Sequence, residues 1–241
     1  MVSARTDGSR ISTVTRLIGA LGLAWIAAGC TASQARDASP PPRHVDELAA
    51  RLVACKVSEL ATGLAMDPQV GEVWRAFPDP AAYGQLVEDA DRPQAVRFAA
   101  ALMLRSTGEL VRVNPHATAE VLAHALANDF AGYAFPWGTL WAPRAPLGEL
   151  GQLMVELGKP AEPALAALLD DTTTRDAYLG RDESTVMAKR QYRVKDFAAF
   201  YLARIAHLEL AWEPDLRRRD AAIAALRRRL TDLPAPAGAV P

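Results

Sequence analysis

The feature that most narrows what this chain can become is a recurring pair, a side chain suited to cap a helix followed at once by proline. Asp67-Pro68, Asp79-Pro80 and Asn114-Pro115 are of this kind. A short carboxylate or amide accepts from the first unpaired N–H groups of a helix, and proline, which has no N–H to leave unpaired, suits the first helical position. Lys159-Pro160 and Glu213-Pro214 repeat the proline without a good cap. A chain punctuated in this way folds into consecutive short helices. No stretch sustains the alternation of a half-buried strand, and no Asn-Gly or Asp-Gly pair joins two β-like runs. Composition agrees. Half of the 241 residues are hydrophobic while aromatics make up only 7%, and Ala and Leu dominate, which favours helix packed on helix over sheet.

The spacing of apolar residues predicts helices over about 44–66, 68–77, 80–90, 93–105, 115–128, 147–157, 160–169, 192–210 and 214–230. The helix after Pro93 carries Val96, Phe98, Ala99, Leu102 and Met103 on several faces, so it should be buried. The helix after Tyr192 repeats Val194, Phe197, Tyr201, Ile205 and Leu208 at steps of three and four, and the last helix points Leu216, Ile223, Leu226 and Leu230 inward.

Ahead of these helices stands an export signal. Residues 1–16 are polar and hold Arg5, Arg10 and Arg16, and residues 17–28, LIGALGLAWIAA, form an apolar run. That run falls short of the ~20 residues that span a bilayer, but a positive head, a short apolar run and small residues before a cut site make a secretory signal. Ala27, Ala28 and Gly29 lead directly into Cys30. This resembles the lipobox of bacterial lipoproteins, with Ala27 where Leu is commonest, and the resemblance implies that Cys30 receives lipid and becomes the mature N-terminus. The competing reading is an ordinary signal cut at the small pair. By the same resemblance, Thr31 after the cysteine points to the outer membrane, facing the periplasm, in a Gram-negative host. The expected organisation is then a signal over 1–29, a lipidated Cys and Pro-rich tether over 30–42, an all-helical domain over 43–232 and a disordered tail over 233–241.

Two stretches resemble HEAT-type repeats. LGKPAEPALAALLDD (157–171) is similar to the end of one unit and the first helix of the next, and YRVKDFAAFYLARIA (192–206) to a second helix, with Arg193, Asp196, Ala198, Ala199 and Leu202 in the pattern's places. RPQAVRFAAALMLRSTGE (92–109) echoes that second helix through Val96, Arg97, Ala99 and Leu102. Small alanines let helices approach, and Asp or Arg can bond across to an adjoining turn. The fold class this implies is all-α, an irregular α-solenoid of HEAT-like helix pairs, with a non-repeating helical bundle as the alternative.

Candidate sites are few. DFAGYAFPWGTLWAPRAP (129–146) gathers Phe130, Tyr133, Phe135, Trp137 and Trp141 among glycines and prolines. Such rings form an interaction surface or fold back to seal the gap where the repeat breaks, and packing is the commoner use. Arg217, Arg218, Arg219, Arg227, Arg228 and Arg229 give the last helix a basic face, suited to anionic lipid or an anionic envelope polymer, or else to the polar cap of a terminal repeat, the favoured reading. Asp170, Asp171, Asp176, Asp182 and Glu183 do not follow the spacing of a calcium loop and read as solvated. His44, His116, His124 and His207 are scattered without a HExxH, Cys55 reads as a core thiol, and neither cysteine sits in a CxxC, so no metal site is expected. No GxSxG, GxxxxGK[ST] or GxGxxG occurs, so neither catalytic residues nor a cofactor is expected. A net charge of -1 gives no footprint for nucleic acid. The expected role is a membrane-tethered scaffold that binds another protein of the bacterial envelope. An enzyme with a site near 129–146 and a small-ligand carrier are the alternatives.

Overall fold

The computed structural model describes residues 42–54, 68–128, 135–138, 140, 147–174, 191–211 and 213–232. The export signal, Cys30, the tether, Cys55, Phe130, Tyr133, Trp141, Asp176, Asp182, Glu183 and the tail over 233–241 lie outside them. Within the described residues the fold is all-α. The helices are α1 (Pro42–Ala54), α2 (Pro68–Ala76), α3 (Pro80–Glu88), α4 (Gln94–Thr107), α5 (Pro115–Asn128), α6 (Glu149–Leu157), α7 (Glu162–Ala167), α8 (Val194–Ile205) and α9 (Leu216–Thr231). Short 3-10 turns occur at Leu110–Arg112, Phe135–Trp137, Lys159–Ala161 and Leu168–Asp170. The β structure among the described residues is one isolated antiparallel bridge between Thr174 and Arg193. No helix among the described residues is long and apolar enough to cross a membrane.

Asp67 lies outside the described residues, and the other two capping pairs act as their chemistry requires. Asp79 accepts from the Ala81 N–H at 3.0 Å and starts α3 with Pro80 in its first turn. Asn114 Oδ1 accepts from the His116 N–H at 2.9 Å and starts α5. At the other end of α4, Gly108 adopts φ 75°, a left-handed value that glycine takes without strain, and the Glu109 N–H closes on the Leu104 carbonyl at 2.9 Å.

Three boundaries, in two helices, differ from expectation for identifiable reasons. The helix expected over 192–210 is α8, Val194–Ile205. It starts late because Arg193 is extended, with its N–H bonded to the Asp196 carboxylate at 2.9 Å. It ends early because His207 turns to φ 53°, and the Leu208 N–H then reaches back to Ala203 O at 2.8 Å. The last helix starts at Leu216 rather than at Pro214, because Asp215 takes the cap and accepts from the Arg218 N–H at 3.0 Å.

Packing follows chain order. α1 rests on α2, α3 and α4. α3 packs on α4 and α5, and α4 also on α5. α5 meets α6 and α7, both of these pack on α8, and α8 carries α9. The core runs from Val45 to Leu226 and includes Leu48, Leu86, Phe98, Leu122, Met154, Phe197 and Tyr201. α4 and α8 are buried on nearly all sides, from Val96 to Leu104 and, apart from half-buried Lys195, from Val194 to Ala203. Ala99, Ala100 and Ala101 in the first run, and Ala198, Ala199 and Ala203 in the second, add little bulk and let neighbouring helices close on several faces.

Candidate functional site

An open groove of about 330 Å³ lies where the end of α4 turns into the 3-10 turn at Leu110–Arg112 and faces α6. Arg105, Gly108, Leu110, Val111, Leu153, Glu156 and Leu157 line it. Local chemistry builds it. Gly108 turns the chain sharply out of α4, and an added Cβ there would meet nothing within 4 Å. Leu110 then folds inward while the adjacent Val111 stands 89% exposed, the most exposed large apolar side chain described. Leu153 supplies the opposite wall from α6.

A polar bar crosses this apolar surface. Arg105 Nη1 meets Glu156 Oε2 at 2.9 Å, and Gln152 Nε2 donates to Glu156 Oε1 at 2.8 Å. The hydrogen bond from Arg105, then that from Gln152, hold the Glu156 carboxyl below its ordinary value against the opposing effect of burial. Glu156 therefore stays ionised near neutral pH and is poorly placed to shuttle a proton, since a general base works best with a pKa near the operating pH. The groove suits binding: apolar walls for an aliphatic or aromatic side chain, and a fixed charge pair to orient polar groups at its edge.

A second built feature is the junction of α8 with α9. Asp196 is fully buried and accepts from the Arg193 N–H, from Arg193 Nε at 3.2 Å and Nη2 at 2.9 Å, and from Arg219 Nη1 at 2.6 Å. Arg193 and Lys195 each also reach Asp220 at 2.8 Å. The Arg219 guanidinium lies 5.1 Å from the centre of the Tyr192 ring. Burial pulls Arg219 below the usual arginine value, with Asp196 opposing the fall. Burial would raise the Asp220 carboxyl, but hydrogen bonds from Arg193 and Lys195 leave it lowered. The carbonyls of Asp171 and Thr173 take the Lys195 and Val194 N–H groups, so the chain leaving α7 caps the start of α8. Every member of this set is committed to another, and the junction acts as a clamp.

The residues singled out from the sequence fall as follows. Trp137 is 1% exposed, so it belongs to the core and not to an interaction surface; its carbonyl accepts from the buried Tyr201 hydroxyl at 2.5 Å. Phe135 begins the same 3-10 turn. The six-arginine face divides. Arg219 is 1% exposed and turned inward, which removes it from the basic face, because a buried carboxylate on α8 requires it. Arg227 pairs with Asp170 at 2.7 Å, and Arg229 donates to the Glu209 carbonyl at 3.2 Å. Arg217, Arg218, Arg228 and Arg229 are exposed. Asp171 caps its own turn through the Thr173 N–H. Among the described residues no three His, Cys, Asp or Glu side chains come together as metal ligands. His44 instead packs against Phe77, with ring centres 5.1 Å apart.

Sequence reasoning missed the groove, although an apolar Leu110-Val111 pair directly after a helix-ending glycine was a usable signal. It also missed the clamp. Arg219 lies on the stripe Arg219, Ile223, Leu226, Leu230 at steps of three and four, so its inward direction was readable; its partner was not. The chain matches no family model, no curated protein and no solved structure.

Proposed function

We propose that this chain is a helical-repeat scaffold of the bacterial cell envelope, held to the membrane through lipid on Cys30, whose α4–α6 groove receives an apolar side chain of another envelope protein. The observation that carries the reading is Val111, which stands almost wholly in solvent at a groove lined also by half-buried Leu157 and by the buried Leu110 and Leu153. Apolar surface left bare next to a preformed concavity is the usual mark of an interaction site. The irregular α-solenoid reading is supported by the order of packing, in which each helix rests on helices near it in the chain. It is supported too by Arg97 and Asp196, whose bonds reach adjoining helices. Buried Arg97 donates from Nε to the Val87 carbonyl at 2.9 Å, across to the last turn of α3.

The test is crosslinking and capture from native membranes with wild type and Val111→Glu. Because Val111 is exposed, the variant keeps its fold by circular dichroism, whereas substituting Trp137 would open the core. The expected result is a stoichiometric partner that is lost with Val111→Glu. A partner captured equally by both would move the interface elsewhere, and no partner with either would end the scaffold reading. Labelled palmitate entering wild type but not Cys30→Ser checks the anchor separately.

A further inference from the structure

We propose that the outward face of α9 lies against anionic phospholipid headgroups. The helix has two unlike sides. Arg219, Ile223 and Leu226 are buried, with Leu230 half-buried on the same stripe. On the opposite side, Arg217, Ala221, Ala224 and Arg228 are exposed at steps of four, three and four, flanked by exposed Arg218 and Arg229. That face is made of arginine and alanine. Its acidic neighbours are committed elsewhere or stand at its margins. Asp215 caps the helix N-terminus, and Asp220 is held by Arg193 and Lys195. Glu213 approaches Arg218 no closer than 3.7 Å, Glu209 meets Arg229 through its backbone carbonyl, and Asp232 follows the last turn. Arg217 and Arg228 form no ion pair with any described carboxylate, and they stand eleven residues apart, about 16 Å along the helix at its ~1.5 Å rise per residue.

Charge complementarity requires an anionic occupant. The alanines decide its class. A protein partner draws its energy from aromatic side chains and arginines desolvated in well-packed pockets, and this face has no aromatic and only arginines that stand exposed among alanines. A headgroup surface needs only positive charge brought close, and small side chains between the arginines let the helix settle on it. Arg side chains also pair with phosphate through two parallel hydrogen bonds. The inference depends neither on the groove nor on lipid at Cys30.

Among the described residues the core begins at Val45, so the chain from residue 30 onward, with Cys30→Ser, carries all of that described core and is free of both acyl chains and the apolar run over 17–28. Flotation of this protein is compared on vesicles of phosphatidylcholine alone and of phosphatidylcholine with phosphatidylglycerol. Binding to the phosphatidylglycerol vesicles, weakened by added NaCl, is expected. Arg217→Gln/Arg228→Gln should weaken it roughly thirtyfold, which corresponds to about 1 kcal/mol for each arginine near an anionic surface. The exposed Arg112→Gln, on the 3-10 turn after α4 and outside α9, should leave it unchanged. Equal flotation on both vesicles, or an unaltered double variant, overturns the proposal. So does the absence of flotation combined with arginine-dependent capture of an acidic protein, which would assign the face to that partner instead.

Discussion

The seam between α3 and α4 and the seam between α8 and α9 close the same kind of helix pair by opposite means. At the first, α3 with its buried Ala82, Tyr83, Leu86 and Val87 packs on α4 with its buried Val96, Phe98, Ala99, Ala100 and Met103, and the one buried charge, Arg97, is directed at a carbonyl. At the second, a fully buried carboxylate holds two arginines, one of which is also tied to Asp220. Apolar contacts are many and individually weak, so a fault in one is shared among its neighbours. Buried charges are few and strongly coupled, so the loss of one strands the rest without solvent or partner. The first seam should therefore be tolerant and the second brittle.

The largest expected effect tests brittleness directly. Asp196→Ala leaves Arg193 and Arg219 in low-dielectric surroundings without their shared acceptor and should cost about 3–5 kcal/mol, read from the urea midpoint. Arg219→Met made in that background should cost much less than Arg219→Met made alone. Equal costs would mean that the two side chains act independently. Leu86→Ala, fully buried at the apolar seam, should follow at about 2–4 kcal/mol. If it exceeded Asp196→Ala, the contrast between the seams would be reversed.

Gly151→Ala probes a third junction, where α6 passes under α8. Its Cβ would stand 2.6 Å from the Trp137 carbonyl oxygen and 2.8 Å from the Tyr201 hydroxyl, which are bonded to each other. Alanine ordinarily gains about 1 kcal/mol over glycine within a helix, but here the clash should dominate, with a net loss of about 1–3 kcal/mol visible in a thermal melt.

Acid should act on the charged seam and the groove. Asp220 and Glu156 both have folded-state values lowered from the ordinary carboxylate range. Their contributions are therefore complete above about pH 4–5, where both are ionised folded or unfolded, and disappear as pH falls below about 4 through the lowered values. Asp220→Asn should flatten the acid limb of a stability–pH curve. The effect should be modest, because the Asp220 side chain is 45% exposed and water screens it. The smallest effect belongs to Arg105→Gln at the groove. Its ion pair is exposed on both sides, so stability should change by less than about 1 kcal/mol, while the acid sensitivity of Glu156 is reduced.

What could be read beforehand divides along the same line. The apolar seam was legible, since period and caps placed α3, α4 and α5 within two or three residues of their ends, and the sides that face inward follow from side-chain spacing alone. The charged seam was not. Residues 217–219 are three consecutive arginines, and only the third points at Asp196 from twenty-three positions away. Sequence periodicity can report that Arg219 faces inward, but not that a carboxylate awaits it. The end of α8 was hidden for a different reason. His207 adopts a left-handed backbone that glycine or asparagine would have announced, and the apolar period continues past it to Leu208. The groove escaped notice because it is a shape between two elements, set by where Gly108 redirects the chain.

The order in which the helices lean on one another has a mechanical consequence. A load entering near α1 and leaving near α9 must cross the seams in series, because no extensive contact among the described residues joins the first helix to the last. The earlier links share that tension, since α1, α3 and α5 each lean on more than one neighbour, whereas α9 leans chiefly on α8 and its seam bears most of the load. Hydrogen-bonded charges resist until they are drawn apart by about an ångström and then release abruptly, whereas apolar packing yields over a longer slide. With the clamp at the terminal link, the last helix should hold stiffly and then detach whole, leaving the remaining layers stacked and able to receive it again.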